Sequence, residues 1–161
     1  MAIPPQVSQA VLAIRHVVQD HGDAGTLIGG PASTPGIVWF GRLLGWSWPA
    51  SYLQVLEKHD GVCVQDAMVF SFLQSFKAFL IFHDRWHGPN GYWPIASDGC
   101  GNYYALSFAM RRPDGECPVV FLEIIQSETE PRETVATTYA EFIISHMAAQ
   151  CRRVGCTARL A

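Results

Sequence analysis

The sequence predicts an α+β fold, an antiparallel β-sheet flanked by helices, in a single domain covering residues 1–161. Strand-like runs are grouped in the second half of the chain and joined by hairpin signals, while helical periodicities lie mostly towards its two ends. A length of 161 residues suits one domain with a real core. Hydrophobic residues make up 49% of the chain and charged residues 16%, with mean hydropathy +0.13, which excludes intrinsic disorder.

The first element is a helix over residues 6–21. Val7, Ala10, Val11, Ile14, Val17 and Val18 make one helical stripe, Pro4 and Pro5 mark its start and Gly22 its end. "GDAGTLIGGPASTPG" follows, and its dense Gly and Pro predict an irregular surface loop within the domain. "GWSWPASYLQVLEKHDG" predicts a second helix, with Ser47 capping the start, Pro49 in the first turn and Gly61 in the left-handed conformation after the end. Its Tyr52, Leu53 and Leu56 face the core. "VCVQDAMVFSF" has strand character. "LQSFKAFLIFHDRW" fits a helix with Leu73, Phe76 and Phe79 or Leu80 inward, ending at "HGPNG".

Three strands are expected over residues 92–96, 103–110 and 118–125. The last two are joined by "RRPDGE", where Pro113 and Gly115 suit a tight turn. Between the first two lies "SDGCGN". Asp98 followed by Gly99 is a hairpin signal, because both residues adopt turn conformations at little cost. Asp98, Gly99, Gly101 and Asn102 are therefore assigned to a structural turn. After the acidic loop "QSETEPRET", Thr138 and Glu141 form the T-x-x-E box of a last helix whose Phe142, Ile143, His146 and Met147 share a stripe. Residues 152–161 read as a frayed tail.

The charge of −3 and pI of 6.0 disfavour nucleic acid, whose phosphates are held by clustered Lys and Arg. The N-terminus lacks the pattern of an export signal and no run approaches the roughly 18 apolar residues of a membrane span, so a cytoplasmic protein without membrane contact is expected. Five cysteines without a CxxC pair read as free thiols, with Cys63 and Cys117 acting as small core residues.

His83 and His87 have helical zinc spacing, but Asp84 stands where a metalloprotease has Glu, and Gly88 and Pro89 break any helix before a third ligand. Cys100 in its glycine-rich turn lacks both a following helix start and an assignable base and orienter, and "GCGNYY" leads into a strand rather than a phosphate-binding helix. No catalytic, metal or cofactor site is expected. Asp114, Glu116, Glu128, Glu130 and Glu133 leave a hairpin tip and a loop acidic, and Trp86 adds an aromatic, so these six are the candidate contacts for a basic protein partner. Most of the five tryptophans are expected in the core.

Three segments together resemble the SUKH superfamily, the Smi/Knr-like domains, over about residues 40–147. "LGWSWPASYLQVLEKHDG" is similar to the family's first helix motif through Leu44, Gly45, Pro49, Tyr52, Leu56 and Gly61, with Trp48 at a usual leucine. "WPIASDGCGNYYALSF" resembles its hairpin through Pro94, Ala96, Asp98, Gly99, Gly101, Asn102 and Leu106. "CPVVFLE" and "VATTYAEFI" resemble its penultimate strand and closing helix through Val135, Ala136, Thr138, Tyr139 and Phe142. The resemblance implies an α+β fold, no shared catalytic residues, and a role in binding a protein. For bacterial members that role is immunity against toxins of polymorphic systems; for fungal relatives it is regulatory scaffolding. The leading expectation is thus a non-enzymatic immunity protein that binds a cognate toxin. The alternatives are a small hydrolase using Cys100 with His83 or His87, and a scaffold domain with no toxin.

Overall fold

In the computed structural model the described residues are 4–21, 25–27, 29–64, 67–81, 91–123 and 133–153. Strand pairing sets the architecture. Seven strands lie in one antiparallel sheet in chain order: β1 (Gly25–Leu27), β2 (Val62–Val64), β3 (Ala67–Val69), β4 (Tyr92–Ser97), β5 (Tyr103–Ser107), β6 (Val119–Leu122) and β7 (Glu133–Ala136). Each pairs with its sequence neighbour, as an antiparallel sheet permits when the connections return directly. Five helices accompany it: α1 (Pro5–His21), α2 (Thr34–Leu43), α3 (Ala50–Leu56), α4 (Phe72–Ile81) and α5 (Tyr139–Arg153). The expected α+β class is what the chain adopts.

β4 is the most enclosed strand, with Trp93, Pro94, Ile95 and Ala96 all buried. An irregularity between Pro94 and Ala96 shifts the register, so Trp93 pairs with Leu106 and Ala96 with Tyr104. Around Trp93 stand Trp48, Phe72 and Phe79, at centroid distances of 4.9, 5.4 and 5.4 Å, while Trp46 stacks on Phe108 at 4.3 Å. Two buried indole N–H groups find acceptors: Trp93 donates to the Tyr52 hydroxyl at 2.8 Å and Trp48 to the Ile37 carbonyl at 2.7 Å. α5 packs on β7 and, through Phe142 and His146, on Tyr104 of β5, and α1 packs on α5 and α3 through Val7, Ala10 and Ile14.

Several sequence expectations need correction. The Gly/Pro-rich stretch is not one loop, since it supplies β1 and opens α2. Pro35 sits in the first turn of α2, where its missing N–H is no loss, and Arg42 in the last turn suits the helix dipole. "VCVQDAMVFSF" forms the two short paired strands β2 and β3 and then opens α4, rather than being one strand. Leu73 and Leu80 face outward, 58% and 53% exposed, while Ser75, Ala78 and Phe79 take the buried side. Val135 and Ala136 belong to β7, ahead of the last helix. Ser47 does not cap α3: Pro49 occupies the cap position and no side chain of its own bonds there.

Gly61 has φ of +89°, and a Cβ on it would stand 2.5 Å from the Ser71 backbone nitrogen. Both the conformation and the space demand glycine where α3 turns into β2. Gly61→Ala should destabilise the fold by about 2–3 kcal/mol. In urea unfolding this appears as a lower midpoint with an unchanged m-value.

Candidate protein-interaction surface

The acidic residues singled out in the sequence do not share one environment. In the β5–β6 connection, Asp114 forms an ion pair with Arg112 at 2.8 Å and accepts the Glu116 N–H at 3.1 Å. Glu116 turns inward, and its carboxylate accepts the Ser51 N–H at 2.9 Å and the Ser51 hydroxyl, so it caps α3 from outside the helix. Arg111 of the same tip donates to the Ser47 carbonyl. With Arg111 and Arg112 against Asp114 and Glu116, the charges of this tip balance, and two of them fasten it to α3. Glu133 is exposed at the start of β7, away from that tip. Glu128, Glu130 and Trp86, like His83 and His87, lie outside the described residues.

The tip and α3 border a cleft of about 400 Å³ lined by Gln54, Arg112, Asp114, Glu116 and Thr138 among others. A second groove of about 480 Å³ lies where α2 and α4 begin, lined by Pro31, Ser33, Ile37, Asp60, Phe72 and Leu73. Asp60 accepts the Phe72 N–H at 2.6 Å, and burial, only partly opposed by that bond, raises its pKa.

The Asp98 hairpin is a self-contained turn. Ser97 pairs with Tyr103, so residues 98–102 close it, longer than the two-residue turn that Asp-Gly alone suggests. Asp98 accepts the Cys100 N–H at 2.7 Å, the Asn102 N–H at 3.1 Å and the Asn102 side-chain amide at 2.7 Å, while Gly99 and Gly101 supply φ of +78° and +96°. Desolvation alone would raise the Asp98 pKa, but these amides together outweigh it and hold the carboxyl below its ordinary range. Cys100 is exposed at the apex. Cys117 is buried, and burial pushes its thiol up to about 11. At the start of α5, Thr138 accepts the Glu141 N–H at 3.1 Å, as the capping box requires, and Glu141 reaches back to the Thr137 N–H and hydroxyl. Its bonds from the Thr137 hydroxyl and N–H hold its pKa low. Among the described residues no group of three or more His, Cys, Asp or Glu side chains is placed to hold a metal ion, and no helix is long and apolar enough to cross a membrane.

The exposed apolar side chains are what the sequence reading missed. Trp39, Leu43, Leu73, Leu80 and Ile81 are each more than half exposed, and all lie on α2 and α4. Such a concentration exceeds the scattered apolar exposure ordinary for a protein surface. The signal was present in "IVWFGRLL", whose apolar residues exceed what one helix face can bury.

Two measurements check these assignments. Glu116→Ala should cost about 1–2 kcal/mol through the lost cap, with Glu116→Gln intermediate, in chemical unfolding. The depressed Asp98 pKa means that its stabilisation is full above the ordinary carboxylate pKa and is lost as pH falls through the lower folded value. Asp98→Asn should therefore flatten the fall of the urea midpoint between about pH 5 and 2.

No curated protein matches the chain. The sequence profile of the SMI1 / KNR4 family (SUKH-1) matches residues 31–145, from the approach to α2 through most of the first half of α5. Six of the seven strands, β2 to β7, the capped α3 and the glycine-bearing β4–β5 hairpin all fall within that span, and the chain belongs to the SMI1 / KNR4 (SUKH-1) family.

Proposed function

We propose that this protein is a non-enzymatic binding module of the immunity type, which neutralises a cognate bacterial toxin in the cytoplasm by direct contact. The observation that supports this most is the division of labour among its side chains. Asp60, Asp98, Glu116 and Glu141, each a carboxylate that could have served as an acid or base, instead accept backbone N–H groups at turns and helix starts. The large apolar side chains of α2 and α4 are meanwhile left towards solvent. Inhibition by occlusion requires complementary shape and charge on a rigid support, and a sheet whose turns are fixed in this way supplies the support. The immunity role itself comes from what the family resemblance implies for bacterial members.

Where the neighbouring gene encodes a large secreted protein, co-expression with its C-terminal domain tests the proposal. The protein should restore growth and bind the purified domain stoichiometrically. Cys100→Ser should protect as well as the parent, within about twofold in dissociation constant. A folded Cys100→Ser variant that no longer protects would overturn the binding reading in favour of a thiol hydrolase.

A further inference from the structure

We draw no further inference here: the strongest candidate, the exposed apolar patch that Trp39, Leu43, Leu73, Leu80 and Ile81 form on α2 and α4, carries none, since nothing in the structure shows what covers it.

Discussion

The hydrogen bond from the Trp93 indole to the Tyr52 hydroxyl joins the most enclosed strand of the sheet to α3, and much of the remaining structure is arranged around it. Both side chains are fully buried, so leaving either polar atom without its partner would cost about 1–3 kcal/mol. Burial also raises the pKa of Tyr52 and of its neighbour Tyr139, so both phenols stay neutral in the core. With α3 anchored at Tyr52, Gly61 has to turn the chain sharply into β2. That turn puts Asp60 beside the start of α4, where its carboxylate accepts the Phe72 N–H. The position of the α2/α4 groove thus descends from one buried tryptophan.

Around this centre the acidic residues serve geometry. A carboxylate that accepts amide hydrogens satisfies donors that a turn or helix start would otherwise leave open. Glu116 does so across 65 residues of sequence, binding the β5–β6 tip to α3. Asp98 does so within five residues, organising the family's glycine-bearing hairpin. One device works over very different chain separations, and in each case it stiffens a connection at the sheet's edge or end. Rigid connections suit a protein whose action depends on surface shape.

The surface itself is unusual in where its apolar residues lie. α2 and α4 each bury one side in the aromatic cluster and carry large apolar residues on the other, a pattern that water alone does not favour. Only one cation belongs to each helix, Arg42 and Lys77, and neither helix contains an acid. The exposed sides of α2 and α4 are therefore largely apolar, with Asp60 contributed to the groove between them from the preceding turn. At the β5–β6 tip the acidic residues are engaged instead, since Asp114 is paired with Arg112 and Glu116 is turned inward.

By itself the sequence determined what depends on local spacing: α1 through its apolar stripe, the start of α5 through Thr138, the left-handed turn at Gly61, the β4–β5 and β5–β6 hairpins, and hence the α+β class and the family. Local rules act between residues a few positions apart, and those elements are decided at that range. Tertiary structure decided the rest. It converted Pro35 and Gly36 from apparent breakers into the opening turn of a helix, because α2 gains more by packing Ile37 and Phe40 on the core than a loop could. It turned Leu73 and Leu80 outward, because Phe72 and Phe79 fill the side facing Trp93 and Phe76 packs on Phe40. It also gave Glu116 a partner in Ser51 that no short-range pattern could name. Which apolar side chain is buried, and which charge remains available, depends on what has packed beside it, and that is settled only when distant segments meet.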